Sequence, residues 1–368
     1  HLLLGFQYTL AVILLVITLG MGRQLDYMRQ KDMGFAQEQI MLVSLPEGEE
    51  ETHSRIGELR DQLASTAIIS QVALAGGGAL PGEDNGKELF EIKSEGGIIE
   101  KVYNIYAIDD QYLPTLSIPL AEGRNFDPDR ISDRNGAVLI NEALAKALGW
   151  ESPLGQQINC YGDWREVVGV VKDFHHQSLH NPIEPVVFLY DVSYASTLLV
   201  KAPLAATPLL ESTFRTHFPD TPYTLSYFYQ FIGALYQQEQ RLSVLFRFFS
   251  MVALLLCGMG LFALFSLQVH QRTRELGIRK VLGARARHLL QNLFKSYRYT
   301  ALIALAVGLP LAGWWIQVWL QDFSYRVTLG SSIYLMAIVW IIGVSLAVTS
   351  YHILKALRAN PVESLKQE

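Results

Sequence analysis

Apolar residues are unevenly spread along this chain. Residues 2–22, 248–269, 299–321 and 327–351 form four runs without one charged side chain, each at least 21 residues long. At about 1.5 Å of rise per residue a helix of that length reaches about 30 Å, the thickness of a bilayer's hydrocarbon core. One such run could be a buried core helix; four in one chain point to a membrane. A cleaved leader for 2–22 would have a shorter apolar stretch and a basic start, and neither is present.

Between the first two runs the period changes. Residues 40–45 read as a short apolar strand, 50–65 have helical spacing through Ile56, Leu59 and Leu63, and 68–75 return as a strand, a β-α-β unit. A second such unit closes the region, with strand 197–201, helix 208–217 and strand 223–228. Between them 98–108, 137–140 and 167–171 read as strands, separated by turn signals such as Gly123, Asp127-Pro128 and Ser152-Pro153. The fold class expected is therefore an α-helical membrane protein with four transmembrane helices and a large mixed α/β domain. That domain has a β-α-β part and an inserted strand-rich lobe. The polar stretches 23–31 and 230–241 abut the first and second spans without a breaker, so both are expected to continue outward as stalk helices.

Charge orients the chain. Residues 23–241 hold 17 Lys and Arg against 31 Asp and Glu, and the rest holds 13 against 4, which together give the net charge of −5. No basic domain stands apart from the apolar runs, so nucleic acid is excluded as a partner. The segment between the second and third runs carries Arg272, Arg274, Arg279, Lys280, Arg285, Arg287, Lys295 and Arg298 against Glu275 alone. Basic loops stay on the cytoplasmic side. Counting outward gives a first span at 1–22, an extracytoplasmic domain at 23–243 and a second span at 244–269, followed by a cytoplasmic loop at 270–298. A third span at 299–321, an outer loop at 322–332, a fourth span at 333–354 and a cytoplasmic tail at 355–368 complete the chain, with both ends inside. The chain opens on His1 rather than Met, so a longer protein is expected. Cys160 is alone in the outer domain and Cys257 lies in a span, so no internal disulfide is expected.

Catalytic motifs fail on inspection. Gly76-Gly77-Gly78 leads to Asn85-Gly86-Lys87, yet a phosphate-cradling loop needs Gly where Pro81 stands and Ser or Thr where Glu88 stands. His175, His176 and His180 with Asp173 raise the possibility of a metal. Adjacent histidines in a strand point to opposite faces, so only His176 and His180 could share a side, and a polar turn after 167–171 is the favoured reading. His-Glu-x-x-His, Gly-x-Ser-x-Gly and Cys-x-x-Cys do not occur. No catalytic, cofactor-binding or metal-binding residues are expected, and the chain reads as non-enzymatic.

The informative segment is the basic loop. Arg274, Glu275, Leu276, Gly277, Ile278, Arg279, Lys280, Val281, Leu282, Gly283 and Ala284 place Ile278, Val281 and Leu282 on one helical face, with Gly283-Ala284 as a stop signal. Such a helix could lie on acidic membrane lipid, or dock into a groove of a cytoplasmic partner with its apolar residues as anchors. In the tail, Asn360 as N-cap, Pro361 at N1 and Glu363 at N3 begin a terminal helix at Ser364 and Leu365.

RTRELGIRKVLGA (272–284), ALRANPVESLKQE (356–368), REVVGVVKDFHHQSLH (165–180) and AVLINEALAKALGW (137–150) together resemble FtsX/MacB-type ABC transporter permeases over essentially the whole chain. The opening span leading into QLDYMRQKDMGF (24–35) is similar to the second half of a tandem permease of the Bacteroidetes type. The resemblance implies a bacterial inner-membrane permease subunit with a MacB-like periplasmic core domain, divided into a porter-like part and an inserted lobe. It implies a separate cytoplasmic ABC ATPase that holds ATP and magnesium and docks on 274–284, a second permease half, and a periplasmic adaptor or substrate. The implied work is export or mechanotransmission. The alternative from another class is a membrane sensor with an extracytoplasmic ligand-binding domain, weakened by the 29 residues of 270–298, which leave no room for a signalling domain.

Overall fold

The computed structural model describes residues 2–48, 50–83, 86–94, 97–271 and 286–358. They fall into two compact units, one from Lys31 to Gln237 and one formed by the residues on either side. The chain opens on helix α1 (Leu2–Gln30), whose polar last two turns continue the apolar run without a break, as expected of a stalk.

The Lys31–Gln237 unit begins with β1 (Ile40–Ser44), α2 (Glu50–Ala64) and β2 (Gln71–Gly76). The inserted region follows: β3 (Lys87–Ser94), β4 (Gly97–Ile108), α3 (Tyr112–Leu116), β5 (Leu120–Gly123), α4 (Ile131–Gly136), β6 (Ala137–Asn141), α5 (Glu142–Ala147), β7 (Gln157–Cys160), β8 (Asp163–Val171) and β9 (Val186–Tyr190). It closes with β10 (Ala195–Lys201), α6 (Thr207–His217), β11 (Leu225–Tyr227) and α7 (Phe228–Ala234).

The two β-α-β units interlock. Strand order is β11-β1-β10-β2, so β10 lies between β1 and β2, and β1 between β10 and β11, every neighbouring pair antiparallel. Each unit is thus a split β-α-β whose gap the other fills. Helices α2 and α6 cover one face, because Ile56, Leu59 and Leu63 on the first and Leu210 and Phe214 on the second lie on single stripes over Met41, Val43, Val72, Leu74, Leu198 and Val200.

The inserted lobe is a closed barrel. Its order is β4-β3-β7-β8-β6-β9, and β9 returns to pair in parallel with β4 from Asn104↔Val186 to Ile108↔Tyr190. Alternate positions point inward, so Phe90 and Ile92, Val138 and Ile140, and Val187 and Leu189 fill the interior with Ile158 and Val167. Closure leaves no sheet edge exposed within this ring.

The remaining helices are α8 (Gln237–Gln271), α9 (Ala286–Leu320) and α10 (Ser331–Arg358). One expectation is corrected here. Residues 230–241 are not a single stalk helix, because α7 stops at Ala234 and α8 starts at Gln237. Gly233 lies at the break, where Leu235 and Tyr236 donate to Ile232 and Gly233 carbonyls in tight i→i+3 bonds.

Among the described residues, four helices are long and apolar enough to cross a membrane. α1 and α9 approach closely at small residues: a Cβ on Gly308 would lie 3.1 Å from Val12 Cβ and 3.3 Å from the Thr9 carbonyl oxygen. Hydroxyl pairs tie the bundle, Tyr8 to Ser345 and Thr18 to Ser250, each at 2.7 Å. Gln24, in the stretch read as a stalk helix, is fully buried. Its Nε2 donates to the Tyr325 carbonyl and its Oε1 accepts from Val327 N, both at 2.9 Å, which ties the outer end of α1 to the loop before α10.

Candidate functional site

The sequence singled out Arg274, Glu275, Leu276, Gly277, Ile278, Arg279, Lys280, Val281, Leu282, Gly283 and Ala284, and all of these lie outside the described residues. So do Asn360, Pro361, Glu363, Ser364 and Leu365 of the tail. The described framework places the first group between Gln271, where α8 ends, and Ala286, where α9 starts.

The Gly-rich loop does not offer its amides to a phosphate. Leu80 N is directed at the Glu83 carboxylate, the Ala79 carbonyl accepts from the buried Tyr112 hydroxyl, and Lys87 Nζ sits 3.0 Å from Glu184 Oε2. Burial raises the Glu83 carboxyl against these backbone contacts. Asn85 lies outside the described residues.

The histidines behave differently from the polar turn expected of them. His175 is only 7% exposed and His176 1%. The His176 ring packs edge-on against Tyr106 and Phe174, and neither ring nitrogen has a hydrogen-bond partner. Burial pushes it down from the usual 6.5 to about 4, against the pull of the Phe174 backbone and of Glu184, so it is neutral at pH 7. His180 pairs through Nδ1 with Ser178 Oγ at 2.8 Å, and Asp173 accepts from Ala143 N at 2.9 Å. Among the described residues no cluster of His, Cys, Asp and Glu could hold a metal.

What residues 174–179 do instead is join the two segments that lead to the membrane helices. On one side His175 N donates to the Met33 carbonyl at 2.8 Å, and Gly34 (φ +80°) lies so near Phe174 that a Cβ there would come within 2.9 Å of Phe174 Cβ. On the other, Leu179 N donates to the Tyr236 hydroxyl at 3.1 Å. Phe35 bridges the sides, its ring 6.2 Å from Phe174 and 5.6 Å from Phe228, the first residue of α7. The His176 carbonyl accepts from Gly82 N at 2.8 Å and from the Tyr106 hydroxyl at 3.4 Å, which carries the junction into β4 of the barrel. Sequence reasoning missed this junction. Its signal was the aromatic content of Phe35, Phe174, Phe228 and Tyr236, set in otherwise polar stretches.

The order of elements is matched by known families. A model described as the MacB-like periplasmic core domain fits residues 9–208, more than half of the chain, and one described as the FtsX-like permease C-terminal fits residues 247–361. The chain belongs to the FtsX/MacB-like ABC transporter permeases. The uncharacterized ABC transporter permease YvrN of Bacillus subtilis is 24% identical, with 100% of this chain and 95% of that protein covered. YknZ of the same species, also named an uncharacterized ABC transporter permease, is 24% identical over 72% of this chain and 70% of its own length. The macrolide export ATP-binding/permease protein MacB of Neisseria gonorrhoeae is 23% identical over 72% of this chain, which spans 44% of that protein. Among solved structures, the periplasmic region of MacB from Actinobacillus actinomycetemcomitans aligns over 56% of this chain and 97% of its own, with TM-score 0.41 and 16% identity. As a permease of this family the chain has inner-membrane helices and a periplasmic domain, and its relatives are permease proteins.

Proposed function

We propose that this permease couples ATP hydrolysis by a separate cytoplasmic ATPase subunit to movement of its periplasmic domain, for export or mechanotransmission. The observation that carries the reading is the segment 272–284 itself. Arginines and lysines sit on either side of an apolar stripe of Ile278, Val281 and Leu282, and the segment joins two helices that can cross a membrane within the FtsX-like part of the chain. In this reading 270–298 and 355–368 are cytoplasmic, both chain ends are inside, and ATP with magnesium belongs to the ATPase rather than to this chain. A second permease half, identical or tandem, packs beside the bundle, and a periplasmic adaptor or substrate meets the outer domain.

The lever has a concrete course. The ATPase grips 274–284 and displaces α8, whose start follows α7 by two residues. Through Tyr236 and Leu179 on one side and Met33 and His175 on the other, both stalk segments pull on residues 174–179, and from there on the barrel. The test is co-purification of the cognate ATPase with the full chain. Replacing Ile278, Val281 and Leu282 by Asp is expected to abolish co-purification, and its survival would remove the docking role.

A further inference from the structure

One mouth of the barrel, inside the Lys31–Gln237 unit, has one-sided chemistry. A cavity of about 580 Å³ lies there, within the size range of small-molecule sites, which favour barrel mouths. Ile105 and Ala107 on the inward face of β4 and Leu189 of β9, which pairs with Ala107, form its apolar floor. Glu88 of β3 and Asp191 after β9 line the wall, and Glu47 and His53 face them from the porter-like part. Among the described residues that line it there is no Lys or Arg. Lys87, next to Glu88, points to the opposite face of β3 and is engaged by Glu184 at 3.0 Å.

Two tyrosines stand at the rim, Tyr161 at 66% and Tyr194 at 72% exposed. Tyr161 occupies the tight turn between β7 and β8 with φ +57°, a left-handed position that favours Gly or Asn and is rare for an aromatic residue. Tyr161 and Glu88 line the same cavity. Burial, then Glu88, with Tyr194 adding to the effect, push this phenol up to about 12, so it stays a neutral donor at the rim. Asp191 is fixed, because its Oδ1 accepts from Ser193 N at 2.9 Å and Ser193 Oγ at 2.5 Å. Carboxylates over an apolar floor with aromatic side chains at the rim are the features that recognise an organic cation, by charge and by cation–π contact.

We propose that the barrel mouth of the periplasmic domain binds an organic ammonium or guanidinium compound, its charge met by Glu88 and Asp191 and its apolar body by Tyr161 and Tyr194. The site needs only the outer domain and stands apart from the ATPase reading.

The experiment is calorimetric titration of the full chain in nanodiscs of zwitterionic lipid with benzyltrimethylammonium, and with benzyl alcohol as the uncharged control. The cation is expected to bind with a dissociation constant of about 1 mM or below, and the alcohol not at all. Glu88→Gln, which removes the charge and keeps the size, is expected to weaken binding about tenfold, and Tyr194→Ala, at an exposed position, about fivefold. Glu122→Gln, on β5 away from the cavity, should leave binding unchanged. Equal binding of benzyl alcohol, an equal loss in Glu122→Gln, or no heat with the cation up to about 10 mM would each overturn the site.

Discussion

The two units of this chain use the same apolar residue types in opposite ways. In the Lys31–Gln237 unit the large ones are inside: Phe90, Phe188 and Phe214 are at most 1% exposed. In the helical unit the interior holds small residues at the closest contacts, with Ala304, Ala312 and Ala337 at most 2% exposed. Many of its large residues point out, Phe248 at 60%, Leu256 at 51%, Met259 at 67% and Trp314 at 65%, while others such as Tyr8 and Phe265 fill the interior. Water drives the first arrangement by expelling apolar area. Lipid gives no such drive between helices, so close backbone approach at Gly308 and hydroxyl pairs such as Tyr8 with Ser345 hold the second. The inversion identifies the solvent of each unit more directly than composition does.

Truncations to alanine sharpen this contrast. Phe214→Ala, in the layer under α6, is expected to cost about 3–5 kcal/mol of stability. Leu256→Ala on the outward face of α8 should cost under about 0.5 kcal/mol. Denaturant unfolding of the full chain in detergent measures both, and equal losses would break the contrast. Next in size is a pH effect confined to the outer domain. His176 titrates at about 4 when folded against the ordinary 6.5. Its contribution is therefore complete above pH 6.5 and is lost as pH falls toward 4, by up to about 3 kcal/mol. Melting curves of wild type and His176→Phe from pH 7 to 4 should converge, with the variant the flatter of the two. Parallel curves would show that the ring is charged or solvated.

Smaller effects probe the helical unit. Gly308→Leu forces α9 away from Val12 and Thr9 and is expected to cost about 1–3 kcal/mol. The same change at Gly343, where an added Cβ meets nothing within 4 Å, should be close to neutral. Gln24→Leu strands the Tyr325 carbonyl and Val327 N–H and should cost about 1–2 kcal/mol, read as faster proteolysis of the loop before α10. Unchanged cleavage would mean that water replaces the amide.

The four spans were legible because an uncharged run of more than 20 residues has few other uses, and Ile56, Leu59 and Leu63 gave α2 by spacing alone. The barrel was only half legible. Val186–Tyr190 is a fully apolar strand that was passed over between Pro185 and Asp191, and closure depends on its parallel pairing with β4, some 80 residues earlier, which no local pattern encodes. The burial of Gln24 was not legible because its partners lie about 300 positions away. The break between α7 and α8 had a local signal in Gly233, but what favours it is Tyr236 reaching Leu179. His175 and His176 were read as polar because a histidine's burial is set by its neighbours, here Phe174 and Tyr106, and not by its own chemistry. Residues 274–284, proposed to dock the ATPase, were the clearest pattern in the sequence and lie outside the described residues.

The central claim is that an ATPase gripping 274–284 moves the periplasmic domain. Spin labels at Glu151→Cys and Asp322→Cys, both exposed sites, one in each unit, report on it in the assembled permease and ATPase, because Cys160 and Cys257 are buried. Double electron–electron resonance should show a change in the label-to-label distance when ATP is added, and none once Ile278, Val281 and Leu282 are replaced by Asp. A distance that ignores nucleotide in the wild type, or still responds in the triple variant, would contradict the account.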